Sequence, residues 1–173
     1  MAASILSPSD FAYAYLSTPV GLLELKASDA GLAAVTFLDE PGSLAPTSPL
    51  AVAGCLREAH RQLQAYFGRE LRDFSLLYDQ PRGTEFQQRV WHMLQRVGYG
   101  RTASYLDLAR LLENPGAVRA VGAANGQNPL AIVWPCHRII GASGQLTGYA
   151  GGLPRKKWLL AHEQPAAQGE LFG

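Results

Sequence analysis

The hydrophobic period of this chain changes partway along, and that change limits the folds open to it. Residues 11–40, "FAYAYLSTPVGLLELKASDAGLAAVTFLDE", repeat every second position: Phe11, Tyr13 and Tyr15, then Leu23 with Leu25, then Val35 with Phe37. "TPVG" and "SDAG" supply turns between the runs. Short alternating runs joined by tight turns predict an antiparallel β-meander. After "PGSLAPTSP" (41–49), a Pro- and Ser-rich loop, the period lengthens. Leu56, Ala59, Leu63, Tyr66 and Phe67 fall at helical spacings, predicting a helix from Pro49 to about Phe67. "FSLLY" (74–78) is expected to return to the sheet, and "DQPRG" (79–83) reads as a linker.

The second half is mostly helical. Thr84 is placed to cap a helix with the apolar face Phe86, Val90, Met93, Leu94 and Val97, ended by Gly98 and Gly100. "TASYLDLARLLE" (102–113), with Ser104 as cap, predicts a second helix, and Pro115 opens a third. Three short helices with tight turns suggest a helix-turn-helix array. "LAIVW" (130–134) is expected to be a strand, "IIGASGQLTGY" a hairpin and "LPRKKWLLAHE" (153–163) a final helix. There is no internal repeat. The third helix is unusual, because between Pro115 and Gly126 its one long side chain is Arg119. Such a smooth helix either packs deep in a core or approaches a partner very closely, as entry into a DNA minor groove roughly 6 Å wide would require.

Charge divides the same way. Residues 1–83 carry six basic and nine acidic side chains, whereas residues 84–163 carry nine basic and four acidic ones. The basic half suits a polyanion, although charge scatter alone would also produce it. No apolar run approaches the roughly 20 residues of a membrane span, and "MAASILSPSD" lacks the basic and apolar blocks of a signal peptide. Two cysteines and four scattered histidines make neither a disulfide framework nor a zinc pattern. A reducing, cytoplasmic setting without metal or membrane is therefore expected.

The chemistry concentrates at "WPCHR" (134–138). A thiol reacts as the thiolate, which nearby positive charge or a histidine base favours, and Cys136 has His137 and Arg138 beside it. On a strand, neighbouring side chains point to opposite faces, so a water or a turn would have to connect thiol and imidazole. Glu163, Asp107 and Glu113 are candidates to orient that imidazole. Inert packing of the cysteine stays open at this point, as does a Cys–His hydrolase using Asn128.

"VRAVGAANGQNPLAIVWPCHRIIG" followed by "LTGYAGGLPRKKWLLAHE" closely resembles the O6-alkylguanine-DNA alkyltransferases, the methylated-DNA–protein-cysteine methyltransferases, and "GTEFQQRVWHMLQRVGYGRTASYLDLA" resembles the opening of the same domain. The resemblance covers residues 83–163 in detail and the first half loosely. It implies an α/β chain of α+β type: an RNase H-like domain over 1–82 (a small antiparallel sheet with a helix), a winged helix-turn-helix-like alkyltransferase domain over 83–163, and a flexible tail over 164–173. It implies repair of duplex DNA by one irreversible transfer of a methyl or alkyl group from O6-alkylguanine, and by extension O4-alkylthymine, after the base is flipped out. No cofactor is needed, because the alkyl group arrives on the substrate.

By the same resemblance Cys136 is the acceptor, His137 takes its proton through a water, Glu163 holds the imidazole and Asn128 shapes the active-site turn. Tyr105 lies against the flipped base and protonates the departing guanine. Arg119 fills the vacated space in the duplex, and Ala117, Ala120 and Gly122 line the groove-facing side. Cys136, Ile139, Tyr149, Ala150 and Gly151 form the base pocket. The protein is expected to act as a monomer, with cooperative binding along DNA as an added option. A lesion-sensing DNA binder without transfer is disfavoured by Cys136 itself, and a helix-turn-helix regulator by the scarcity of polar side chains on the third helix.

Three positions depart from the family pattern. Trp134 stands where a β-branched aliphatic is common, Glu85 where proline is frequent, and Ala150 where some members have serine. Zinc-ligand cysteines of some members are missing, and Cys55 reads as packing. The tail "QGELFG" (168–173) resembles short peptides that dock into bacterial sliding clamps through residues equivalent to Gln168, Leu171 and Phe172.

Overall fold

The computed structural model describes residues 10–165. The tail residues that resemble clamp-docking peptides, Gln168, Leu171 and Phe172, lie outside that range.

The period-two segment forms three antiparallel strands, β1 (Ala12–Thr18), β2 (Gly21–Ser28) and β3 (Gly31–Leu38), in the order β1-β2-β3. The alternation holds, but on β1 the buried face is Ala14 and Leu16, and Tyr13 points to solvent. The reason lies in helix α1 (Gly54–Phe67), which brings Leu56, Leu63 and Tyr66 to the sheet, each fully buried. Small inner residues such as Ala14 and Ala27 make room for those side chains. The predicted helix starts later than Pro49. Residues Pro49–Ala51 form a separate 3-10 turn, and Val52 is extended. "FSLLY" joins the sheet at one point, a parallel bridge between Tyr78 and Leu32. There Gly31 has φ +143°, and a Cβ would sit 2.5 Å from the Leu77 carbonyl oxygen, so a side chain cannot be accommodated.

The helical half contains α2 (Glu85–Leu94), the two-residue β4 (Ala103–Ser104), α3 (Tyr105–Leu111) and α4 (Val118–Gly126). It continues with β5 (Ile139–Ile140) and α5 (Leu153–His162). Both predicted caps are present as reciprocal capping boxes, Thr84 with Gln87 and Ser104 with Asp107. Glu85, in place of proline, puts an acid in the first turn of α2, where the helix dipole favours it. Helix α3 is shorter than expected, and Pro115–Ala117 is a 3-10 turn leading into α4.

Two expectations are corrected. "LAIVW" is not a strand. Leu130 makes a single bridge to Val35, and Ile132 has φ +71°. The Asn128 side chain occupies the hydrogen bonds a strand partner would have made. Its Oδ1 accepts from Leu130 N at 3.0 Å, and its Nδ2 donates to the Trp134 carbonyl at 2.7 Å. The segment therefore curls into a turn. The predicted hairpin after Cys136 is reduced to β5, which pairs in parallel with β4. Gly141 N donates to the Gln145 carbonyl at 2.8 Å and closes the following turn.

The two halves share one core. The open edge of β3 is covered from the other half: Val35 N donates to the Pro129 carbonyl at 2.9 Å and Ala131 N to the Val35 carbonyl at 3.2 Å. Arg155 reaches back to the Val20 carbonyl at 2.8 Å and stacks over Phe37. No helix of the described residues is long and apolar enough to cross a membrane.

Candidate active site

Cys136 opens a 3-10 turn, Cys136–Arg138, directly after Pro135. This replaces the strand geometry expected for "PCHR". With three residues per turn, consecutive side chains diverge by about 120° instead of facing opposite ways. Asn128 sets up the turn, and Trp134 anchors it by stacking on Trp91 with ring centroids 6.2 Å apart and tilting onto Tyr78. Tryptophan at this position thus fills an aromatic niche that Trp91 and Tyr78 supply. Cys136 is buried, and burial pushes its thiol up from the ordinary value; the Asn128 side chain and the Lys156 ammonium oppose that rise without cancelling it.

His137 is fully buried, with Nε2 2.7 Å from Glu163 Oε1. Of the three acids considered, structure selects Glu163. Asp107 is spent on the α3 cap, and Glu113 lies past the end of α3 with φ +59°. Glu163 is surrounded by donors. Tyr66 Oη reaches Oε1 at 2.8 Å, Arg138 Nη2 reaches Oε1 and Nε reaches Oε2, both at 2.9 Å, and Gly100 N lies 3.4 Å from Oε2. Burial would raise this carboxyl, but His137 and Arg138 outweigh it and hold the group at about 2. An ionised carboxylate only accepts, so Nε2 is the protonated nitrogen of His137 and Nδ1 keeps its lone pair. Nδ1 is buried and has no hydrogen-bond partner among the described residues. Burial lowers the imidazole's affinity for a second proton, and Glu163 offsets this only in part because Arg138 already balances its charge. The outcome is a neutral imidazole with its basic nitrogen free.

The thiol faces a cavity of about 190 Å³ lined by Cys136, Asn125, Asn128, Tyr149, Ala150 and Gly151, and closed on the far side by β3, including Phe37. A second cavity of about 280 Å³ adjoins it, lined by Tyr105, Gly122, Asn125, Thr147, Tyr149 and Ala150. Tyr105 Oη donates to the Thr147 carbonyl at 2.9 Å, so Tyr105 holds the loop that forms the outer wall. Ile139, expected in the base pocket, is fully buried and lines neither cavity; its carbonyl accepts from Lys156 Nζ at 2.5 Å. On α4, Arg119, Ala120 and Ala123 are exposed and Gly122 is half-buried, as is Ala117 at the end of the preceding 3-10 turn. The helix therefore offers solvent a smooth ridge bearing one cation, while Val121, Ala124 and Asn125 face the core.

Sequence reasoning does not single out Tyr66, Gly100, Lys156 or Asn125 for the site, and it places Arg138 beside the thiol, whereas its guanidinium turns to Glu163. Tyr66 comes from the other half of the chain and reads as helix core. Gly100 has φ +72°, and a Cβ there would meet the Glu163 carbonyl oxygen at 3.0 Å. Lys156 is fully buried and ties the Ile139, Thr147 and Gly148 carbonyls together. For Lys156 the sequence signal is weak: a lysine next to a second lysine in "PRKKW" reads equally as surface charge.

A buried thiol with a carboxylate-oriented imidazole, opening beside a helix-turn-helix that presents a smooth ridge, defines a cysteine-nucleophile group-transfer protein on a nucleic-acid-binding scaffold. Two family models match the chain, "6-O-methylguanine DNA methyltransferase, DNA binding domain" over residues 85–165 and "6-O-methylguanine DNA methyltransferase, ribonuclease-like domain" over residues 11–79. The chain belongs to the O6-methylguanine DNA methyltransferase family. It is 50% identical over 163 residues to the methylated-DNA–protein-cysteine methyltransferase of Mycolicibacterium paratuberculosis, covering 92% of this chain and 96% of the relative. It is 45% identical over 152 residues to that of Methanosarcina acetivorans, covering 87% and 97%. Among solved structures, the Mycobacterium tuberculosis O6-methylguanine methyltransferase superposes with TM-score 0.78 at 42% identity, covering 95% of this chain and all (100%) of that one. The Mycobacterium tuberculosis OGT in complex with DNA superposes with TM-score 0.77 at 45% identity, covering 89% and 95%.

Proposed function

We propose that this protein repairs alkylated DNA as a methylated-DNA–protein-cysteine methyltransferase, moving the alkyl group of O6-alkylguanine onto Cys136. The observation that carries the reading is the state of His137: its Nε2 proton is committed to Glu163 and its Nδ1 is a buried, free base one residue from the thiol. The ridge of α4 enters the minor groove, Arg119 takes the space of the flipped nucleotide, and Ala117, Ala120 and Gly122 allow close approach. The guanine passes the Tyr105 wall and lies against Tyr149, Ala150 and Gly151, with its O6 substituent toward Cys136 and backbone groups near Ile139 at its edge.

Transfer is an in-line displacement. The thiol proton passes through a water to His137 Nδ1, the sulfur–carbon bond forms, and the carbon–O6 bond breaks with its electron pair going to guanine. Tyr105, exchanging the Thr147 carbonyl for the base, supplies a proton to guanine and recovers one from solvent. Ordinary guanine and a thioether result. A thioether has no leaving group to regenerate the thiol, so each molecule acts once. By extension O4-alkylthymine follows the same path. The protein works as a monomer in a reducing, cytoplasmic compartment, with residues 1–82 supporting and residues 83–163 carrying the site.

The test is intact-protein mass after mixing with duplex DNA holding one O6-methylguanine, followed by peptide mapping. One added methyl on the Cys136 peptide, stopping at one equivalent, is expected. Methyl on another residue, or continuing turnover, refutes the proposal. Cys136→Ala is expected to bind the lesion and gain no mass.

A further inference from the structure

Glu163 also borders a third cavity, of about 520 Å³, which shares no lining residue with the two cavities at the thiol. Three guanidinium groups from both halves of the chain converge on it: Arg69 and Arg72, in the loop after α1, and Arg101, between α2 and β4. The one carboxylate among its lining residues is Glu163, whose side chain is fully buried and committed to His137, Arg138 and Tyr66. Among the described residues the ion pairs of arginine are Arg61 with Glu58, Arg138 with Glu163 and Arg155 with Asp39. Arg69, Arg72 and Arg101 therefore have no acid partner there, although the exposed Glu70 and Asp73 are their neighbours along the chain. Two helix ends oppose the cluster. Helix α1 stops at Phe67 and α5 at His162, and each C-terminus carries about half a negative charge. Glu163 and Arg138 cancel one another. A surplus of about two positive charges is left facing the cavity.

The chemistry of the walls selects the ligand. A guanidinium presents its N–H groups as a planar fork that matches phosphate oxygens in pairs. One carboxylate would leave half of the surplus charge unmatched, whereas linked phosphate groups bring at least one negative charge each. The aromatic ring on the wall, Tyr99, is taken up by cations: Arg72 lies 5.5 Å and Arg138 5.8 Å from its centroid. A base stacks on an open aromatic face, and this ring offers none. We propose that Arg69, Arg72 and Arg101 form a second anion site, separate from the ridge of α4, that takes a pair of linked phosphate groups. A stretch of DNA backbone and a free pyrophosphate-type ligand share that chemistry. Binding there needs neither the thiol nor a flipped base.

The experiment is calorimetric titration of the full chain with pyrophosphate at low salt, where one saturable event is expected. Arg69→Gln, Arg72→Gln and Arg101→Gln together should weaken it by about tenfold or more, the effect of losing charged hydrogen bonds. A matched variant, Arg57→Gln with Arg61→Gln and Arg82→Gln, removes the same charge from exposed positions off the cavity and should stay within about twofold of wild type. All six arginines are exposed, so both variants are expected to keep the wild-type urea midpoint. Binding of an undamaged duplex across a salt series separates the two sources. If DNA backbone fills the site, the cavity variant has a log–log salt slope shallower than the matched variant by about 0.9 per phosphate lost. Equal slopes with pyrophosphate binding lost in the cavity variant alone assign the site to a free phosphate ligand. Equal weakening of pyrophosphate in both variants is an effect of net charge and overturns the proposal. So does the absence of saturable pyrophosphate binding together with equal slopes.

Discussion

Replacing Glu163 with glutamine is the most direct perturbation of the site, because it removes a charge while keeping shape. The carboxylate accepts from Tyr66, His137 and Arg138, and the Arg138 guanidinium is itself buried. A glutamine amide must turn two N–H groups toward donors. Two routes give the size of the loss. The Glu163 carboxyl is held at about 2 against an ordinary 4.5, and linkage converts that depression to about 3 kcal/mol. Stranding one partner of a buried ion pair costs about 3–5 kcal/mol. The two agree, so Glu163→Gln is expected to lose about 3–5 kcal/mol at neutral pH. A typical domain has only about 5–15 kcal/mol in total.

The sign with pH follows from the depressed value. The contribution of Glu163 is complete above pH 4.5 and is lost as pH falls toward about 2. Urea unfolding of both proteins across that range should therefore show a gap of about 3 kcal/mol near pH 7 that narrows steadily below pH 4.5. A gap under about 1 kcal/mol at neutral pH, or one that does not narrow in acid, would refute the account of Glu163 as an ionised hub.

Three other outcomes are expected. Tyr66→Phe removes one donor to the buried carboxylate and should cost about 2 kcal/mol in urea unfolding, with slower methyl transfer although Tyr66 lies in the other half of the chain. Burial keeps the His137 imidazole below its ordinary 6.5, so its neutral form persists as pH falls. The rate of transfer should be level above pH 6.5 and decline with a midpoint below it; a midpoint above that value would show that Glu163 stabilises the imidazolium after all. Arg119→Ala should weaken lesion binding and transfer from duplex DNA by about tenfold or more, while alkylation of Cys136 by iodoacetamide changes far less; equal losses in both assays would remove Arg119 from its place in the duplex.

Much of the site is legible in the chain because its parts are local. The motif around Cys136, the smooth stretch carrying Arg119 and the two capping boxes each occupy one short segment, and short-range sterics and hydrogen bonding dictate their form. The resemblance places Asn128 at the turn, yet the segment it controls has the composition of a strand. For "LAIVW", composition does not reveal that one amide side chain will take the hydrogen bonds a neighbouring strand would make. Likewise the aromatic stripe of β1 gives the period of the strand but not which face is buried. Which face is buried depends on the helix that packs there.

What the sequence by itself determined is therefore the period of the first three strands, the capped starts of α2 and α3, and the presence of a cysteine–histidine pair at a characteristic spacing. The tertiary structure alone decided that a tyrosine from the first half joins Glu163 at the imidazole, and that Arg138 turns inward to share the same carboxylate. The physical reason is distance along the chain. Tyr66 and Glu163 lie 97 residues apart, and His137 and Glu163 26 apart. Partners so separated are chosen by packing of the whole core, where burial makes an unmatched donor or charge too costly to leave alone.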